Sequence, residues 1–321
     1  MTLFLDERSV AGLIDMDDAL AAVEAVFAEV GRGTVTNVPR VRAPLKDGTL
    51  RITAAVLQEL GYYGVKVSPT TIFESSAGRV FSLYAGDSGA LLAIVQVFAL
   101  GALRTGAASG VATKYMARPE SRRLAVLGTG RQARTQVEAI CRIRPITEIR
   151  VFSRRAENRA RFCADLARPG LDLSGTESAQ EAVRGADIVV TATTATEPVL
   201  KGEWLAPGTH VNAIGANFEY RRELDLDVVA RAAVIATDDT EQVRYEATDL
   251  AAPVEQGIIA WDDVVNLGDI VAGKRPGRGS ADDITLFKSL GVAFEDVALA
   301  ARAFEKAKDQ GIGQELPDLA G

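Results

Sequence analysis

The chain has 321 residues, of which 47% are hydrophobic and 25% charged, and its formal net charge is −7. That length admits two domains with separate cores, and that balance excludes disordered and fibrous classes. The acidic surplus argues against a general nucleic-acid or membrane-surface partner, and no apolar run reaches the ~18 residues that would span a bilayer.

The opening "MTLFLDERSV" carries acids where a signal peptide has a basic segment, so a cytoplasmic protein is expected. Residues 15–30, "DMDDALAAVEAVFAEV", space apolar side chains at helical intervals behind an acidic first turn. From 38 to about 100 the texture changes to short runs, "RVRAPL", "TLRITAAV", "YYGVKVSP", "RVFSLYA" and "ALLAIVQVFAL". Turn signals such as K-D-G and G-D-S-G separate them, which predicts a mostly antiparallel sheet. The stretch 103–117, "LRTGAASGVATKYMA", reads as a small-residue helix joining two domains.

Strand and helix then alternate. "RLAVLG" precedes a helix over 131–143, "EIRVFS" one over 156–168, and "SAQEAVRGA" leads into "DIVVTAT". "THVNAIG", a charged helix near 221–231 and "AAVIATD" follow, and a long amphipathic helix finishes the chain. Such alternation marks a parallel sheet wound on both faces. Residues 272–283 read as an exposed loop, and no internal repeat is present.

Two residue types narrow the chemistry. Cys141 and Cys163 form no C-x-x-C, which argues against a zinc site or disulfide framework and for buried thiols. His210, the single histidine, sits in the strand-like "GTHVNAIG" as a packed residue, and with no G-x-S-x-G a hydrolase triad is not expected.

The stretch "RRLAVLGTGRQARTQVEAI" carries Gly128, Gly130 and Ala133 as G-x-G-x-x-A between a strand and a helix. Gly128 permits a tight turn, Gly130 lets a pyrophosphate approach the backbone, and Ala133 lets helix and strand pack closely. Free amides and the positive end of the helix dipole would then hold the phosphates. An NAD site ends its second strand in a carboxylate about 20 residues on. Here "EIRVF" runs into Ser153, Arg154 and Arg155, with Asn158 one turn further. A hydroxyl and guanidinium groups suit a 2′-phosphate, so NADP(H) is expected in preference to NAD(H), which remains possible.

Taken together, "PRVRAP", "GVKVSP", "LRTGAASGVATKY", "LGTGRQA", "VTATTATEPVLKGEWLAPGTHVNAIGA", "RRELD" and "LFKSLG" resemble the ornithine cyclodeaminase/mu-crystallin family over nearly the whole length. The resemblance implies an α/β protein: a Rossmann doubly wound parallel sheet over 117–295, plus a smaller α+β dimerisation and substrate domain from 1–116 and 296–321. It implies a homodimer and a small amino or imino acid substrate. It places the substrate carboxylate at Arg40, Lys66 and Arg104, with Arg51 where alanine dehydrogenases also have an arginine. Arg51 and Lys66 stand in otherwise apolar strands, where a buried cation needs a partner that a bound carboxylate would supply. An outward-facing charge is the other reading of each. The resemblance further implies a cofactor lining of Arg104, Thr105, Thr129, Gln132, Thr193, Thr194, Ile214, Ser289 and Leu290.

Two departures from the cyclodeaminase pattern matter. Asn217 stands where those enzymes have an aspartate, and an amide cannot take a proton from an attacking amine or water. Arg51 stands where the cyclodeaminase has a glutamate for the distal ammonium of ornithine, although Glu219 could substitute. The expectation is therefore an NAD(P)H-dependent reductase of a carboxylate-bearing imine, with Lys66 as proton donor and Asn217 orienting the substrate nitrogen. The alternatives are an ornithine cyclodeaminase, an amino-acid dehydrogenase of the alanine dehydrogenase type, and a dinucleotide-holding binding protein like mu-crystallin.

Overall fold

The computed structural model describes residues 2–71, 79–218 and 220–317. The backbone divides into two units: the chain up to Arg104 together with Gly291 onward, and Thr105–Leu290.

In the first unit Asp15 opens the helix Met16–Arg32 with a capping box: its side chain accepts from the Asp18 amide, and the Asp18 side chain accepts from the Asp15 amide. The strands are β1 (Thr2–Leu5), β2 (Val35–Leu45), β3 (Gly48–Leu57), β4 (Tyr62–Thr71), β5 (Val80–Ala85) and β6 (Leu91–Gln96). They form a seven-stranded sheet in the order Gln314–Leu316, β1, β6, β5, β4, β3, β2. Every pair is antiparallel except β1 with β6, as the turn-separated runs predict. Lys46 and Asp47 make the two-residue turn between β2 and β3, since Leu45 pairs Gly48. In β2 the register shifts between Val38 and Val41, a bulge that brackets Pro39, which has no amide to give the ladder.

Side chains alternate across this sheet. Thr53, Ala55 and Leu57 of β3, Phe81 and Leu83 of β5, and Ala93 and Val95 of β6 are buried on one face, the one packed by the helix Ala293–Gln310. That helix is not amphipathic throughout: Ala293–Ala301 is buried on every side, and only its second half alternates. Its small alanines let it lie between the sheet and the helix Met16–Arg32, where Phe27 and Phe294 meet edge-on at 5.5 Å.

The second unit holds β7 (Arg123–Leu127), β8 (Glu148–Phe152), β9 (Asp172–Gly175), β10 (Ile188–Thr191), β11 (His210–Ala213), β12 (Ala232–Thr237), β13 (Val264–Asn266) and β14 (Ile284–Lys288). They form one eight-stranded sheet, ordered β13-β12-β14-β11-β10-β7-β8-β9 and parallel throughout. β10, β11 and β14 are buried end to end, as strands covered on both faces must be. Ala133, Val137, Ile140 and Phe162 from the helices Arg131–Ile143 and Ala156–Leu166 pack on Leu124, Val126, Ile149 and Val151.

Two elements differ from expectation. The joining helix starts at Phe98 rather than near 103, and the boundary between the units falls inside it. The charged helix near 221–231 is only Leu226–Ala230, because Asp225 caps it by accepting from the Val228 amide and Arg221–Leu224 turn aside. No helix among the described residues is long and apolar enough to cross a membrane.

Candidate functional site

In the first unit, Arg42 of β2 pairs directly with Arg51 of β3, and Arg51 with Ser68 of β4. Arg79 precedes Val80, the partner of Val67, so the same row continues toward it on β5. Two residues further along β3, Thr53 pairs with Lys66, beside the bulge that carries Arg40. The register of four strands therefore gathers cations that the sequence keeps apart.

Burial and the neighbouring charges of Arg40, Arg79, Arg42 and Arg104 push the Arg51 guanidinium down to about 10. Its Nε is buried and has no hydrogen-bond partner among the described residues. Arg40 donates to the Gly291 carbonyl at 2.6 Å. Gly291 has φ +70°, and a Cβ there would stand 2.2 Å from an Arg104 terminal nitrogen, so glycine leaves the guanidinium its place. Arg104 is 9% exposed and pairs with Glu295 at 3.0 Å and Asp296 at 3.2 Å. Lys66 donates to the same Asp296. Burial lowers the Lys66 ammonium to about 8; Asp296 pulls it upward, while Arg104 and Arg40 press it down. Burial alone would raise Asp296, but Lys66 and Arg104 outweigh it and hold the carboxyl below its usual range.

Glu295 and Asp296 are not among the residues expected from sequence. Both are fully buried in the first turn of the last helix, where the helix dipole also favours negative charge. The signal was present in "GVAFEDVALAA": two adjacent acids inside an otherwise apolar segment, which burial permits only when they are paired.

In the second unit the strand order reverses between β7 and β10, which opens a crevice at their carboxyl ends. Gly128 follows β7 with φ +116°, and a Cβ on it would lie 2.4 Å from the Ala192 carbonyl. Gly130 caps the helix Arg131–Ile143 without a side-chain bond, and a Cβ there would meet nothing within 4 Å. Thr129 lies half-buried between them. The Gln132 Oε1 is buried with no partner among the described residues, an acceptor free for a ligand hydroxyl or amide. Thr105 is buried, and its carbonyl accepts from Gln136 at 3.1 Å. These features fit a dinucleotide.

Thr193 and Thr194 follow β10, Ile214 follows β11, and Ser289 and Leu290 follow β14, all at the same sheet edge. Thr194 is exposed, whereas Ile214, Ser289 and Leu290 are buried. The Leu290 amide donates to Asp238 at 2.6 Å, and the Ser289 hydroxyl to the same oxygen at 3.3 Å. After β8, Arg154 and Arg155 are exposed, Ser153 and Asn158 are half-buried, and the Ser153 hydroxyl donates to the Arg155 carbonyl. Asn217 is half-buried in the loop beyond β11; Glu219 lies outside the described residues.

Glu223, in the "RREL" stretch, also went unforeseen. It is fully buried and accepts from the Thr191 hydroxyl at 2.8 Å and from the Thr193 and Gly215 amides at 2.6 Å each. Burial raises its carboxyl, Lys288 offsets part of that, and Asp249 adds to it. Asp249 in turn accepts from the Glu223 and Leu224 amides and from Lys288 at 3.0 Å. This buried network ties the loops after β10 and β11 to each other.

His210 behaves as a packed residue. Burial first, then Arg278, pushes its imidazole down to about 3, and Nδ1 faces the Thr285 hydroxyl at 2.9 Å. Both cysteines are free and only half-buried, not fully buried as expected, and the partial burial raises their thiols.

A profile of the ornithine cyclodeaminase/mu-crystallin family matches residues 1–311. An alanine dehydrogenase of Archaeoglobus fulgidus is 34% identical over 321 residues, with 98% of each chain covered. Among solved structures, the Delta(1)-pyrroline-2-carboxylate reductase of Thermococcus litoralis, in complex with NADH and L-proline, is 35% identical. It superposes with a TM-score of 0.91, covering 98% of this chain and 100% of that one. An archaeal alanine dehydrogenase dimer with bound NAD is 34% identical at a TM-score of 0.92, with 99% of each chain covered.

Proposed function

Because the chain belongs to the ornithine cyclodeaminase/mu-crystallin family, we propose that it reduces a carbon–nitrogen double bond adjacent to a carboxylate, with NADPH as the preferred reductant. The protein is a nicotinamide-dependent oxidoreductase acting on carbon–nitrogen bonds. The imine could be a ketimine or a cyclic imino acid such as pyrroline- or piperideine-2-carboxylate. One observation carries the reading: Lys66, with an ammonium near neutrality at about 8, shares its face of the sheet with Arg51 and lies within the field of Arg40 and Arg104.

In this reading Arg40, Arg51 and Arg104 fix the carboxylate, which converts an encounter into an oriented complex. Gly128–Gly130, the amides of the helix that follows and Gln132 would hold the dinucleotide, whose reduced nicotinamide would supply the hydride for the imine carbon. Lys66 gives a proton to the nitrogen and is recharged from solvent, so imine, hydride and proton sum to the amino acid. Asp296 keeps Lys66 charged enough to donate. Asn217 orients the nitrogen through its amide. The imine protonated by Lys66 is an activated electrophile that needs no further base, so the missing aspartate harms this reaction less than cyclisation with loss of ammonia. The same groups serve amino-acid oxidation in reverse.

The 2′-phosphate preference is supported by Ser153, Arg154 and Arg155, since no carboxylate ends β8. We further propose a homodimer formed through the first unit. Val41, Ile52 and Val67 lie in one cross-strand row on the face opposite the arginines, at 53%, 36% and 39% exposure. A second copy would cover that apolar row.

The test is to mix purified protein with NADPH and pyrroline- or piperideine-2-carboxylate and follow the absorbance of the reduced nicotinamide. Consumption of both reagents supports the reading. No consumption across a panel of imines, with ammonia released from ornithine, overturns it.

A further inference from the structure

Three arginines follow β8 within seven residues, and they stand in different surroundings. Arg154 and Arg155 are exposed, whereas Arg159, in the first turn of the helix Ala156–Leu166, is 7% exposed. One terminal nitrogen of Arg159 donates to the Ser153 carbonyl at 2.9 Å, and the other donates to Glu177 beyond β9 at 2.7 Å. The guanidinium lies 6.0 Å from the Phe152 ring centroid. Gly175, the last residue of β9, gives the side chain its room, since a Cβ there would press on the Arg159 Cβ at 3.2 Å.

These bonds act on the turn in two ways. The first is direction. A trans peptide carries its C=O and N–H on opposite sides. With the Ser153 carbonyl drawn inward to the buried Arg159, the Arg154 amide is turned outward. An anion at this turn then meets a donor, whereas a ribose 2′-hydroxyl loses the carbonyl that could accept from it. The second is charge. Glu177 is 87% exposed, so water screens its carboxylate, while the Arg159 guanidinium stays buried behind the turn. That cation is already held in place, and it has little side-chain freedom left to lose when an anion arrives. The exposed side chains of Arg154 and Arg155 have to be ordered first.

Resting on the NADPH preference above, we propose that Arg159 is the positioning residue for that preference. By pinning the Ser153 carbonyl it presents the Arg154 amide to the 2′-phosphate of the dinucleotide and withholds an acceptor from a 2′-hydroxyl. It touches neither the reacting atoms nor the phosphate itself; it acts through the peptide that it holds.

The experiment is calorimetric titration of the full-length protein with NADPH and NADH. Arg159→Met keeps the length of the side chain and loses its donors. It should shrink the margin of NADPH over NADH about tenfold, the worth of one charge-assisted hydrogen bond, by weakening NADPH while NADH stays nearly unchanged. Arg159→Lys keeps the charge and one donor to the Ser153 carbonyl, and should recover part of the margin. A loss shared equally by NADPH and NADH, or no change in either, makes Arg159 a brace of the fold and overturns the proposal. A second measurement needs no variant. In the wild type, hydrogen exchange at the Arg154 amide should slow about tenfold or more with 2′,5′-ADP and not with 5′-AMP. Equal exchange with both overturns the proposal even if Arg159→Met does not fold. The two readings fail separately: a wild type that binds NADH as tightly as NADPH sinks the preference itself, while an NADPH margin untouched in Arg159→Met keeps the preference and removes Arg159 from it.

Discussion

Lys66 of β4 and Asp296 of the last helix, separated by 230 residues, meet as a buried ion pair that Arg104 completes from the other side. Asp296 is the group that raises Lys66 against burial and two neighbouring guanidiniums. Replacing Lys66 by Met should lower kcat by roughly 10²–10⁴, the usual worth of a positioned proton donor. Because donation needs the ammonium, wild-type kcat/KM should fall as pH rises through about 8. Asp296→Asn removes the upward influence, so that alkaline limb should move to lower pH. A pH–rate profile with unchanged limbs in Asp296→Asn would remove Lys66 from the proton path.

The same shift has a consequence for stability. The folded pKa of Lys66, about 8, lies below the ordinary 10.5, so between those values the unfolded chain binds a proton that the folded chain has released. Stability from this group therefore rises with pH across that window and is lost below it. Chemical denaturation of wild type and Lys66→Met at pH 7 and pH 10 should show the variant's relative advantage shrinking at the higher pH.

Gly128 and Gly130 should separate folding from binding. Gly128→Ala forces a side chain onto φ +116° and against the Ala192 carbonyl, so a clear loss of thermal stability is expected. Gly130→Ala meets open space and should fold normally. Its methyl would stand where the pyrophosphate approaches, raising the dinucleotide Kd about tenfold or more, about 1.4 kcal/mol. Unaltered dinucleotide affinity in Gly130→Ala, measured by quenching or calorimetry, would move the phosphate site elsewhere.

Arg154→Ala tests the cofactor preference. Losing a charge-assisted contact to a 2′-phosphate should weaken NADPH by about 1.5–3 kcal/mol and leave NADH nearly unchanged. If wild type binds NADH as tightly as NADPH, the assignment of Ser153–Arg155 is wrong.

Glu223 accepts three hydrogen bonds that join the loops after β10 and β11. In Glu223→Gln one acceptor oxygen becomes a donor facing a backbone amide, so about 1–3 kcal/mol of stability should be lost. Dinucleotide affinity should drop with it, because the Thr193 backbone loses its anchor. Normal affinity alongside lower stability would make Glu223 a purely structural brace.

The nucleotide-binding half was readable along the chain because its signal is contiguous. Strand, G-T-G and helix stand within 21 residues, and local conformational rules act over that distance: a tight turn at Gly128, an uncapped helix start at Gly130. Alternating strands and helices likewise declared the parallel sheet. Where a local pattern served a distant partner, the reading failed. "RREL" looked helical by its charges, yet Glu223 turns inward to hold Thr191, Thr193 and Gly215. The last helix looked amphipathic, yet its first half is enclosed by a sheet and another helix. Arg51 and Lys66 could be picked out singly as cations in apolar strands. That they share a face with Arg42 and Arg79, and that Asp296 answers Lys66, was decided by cross-strand register and by the return of the chain's end. Charge interactions at a few ångströms depend on which side chains the fold brings together, and residues hundreds of positions apart leave no local trace of that.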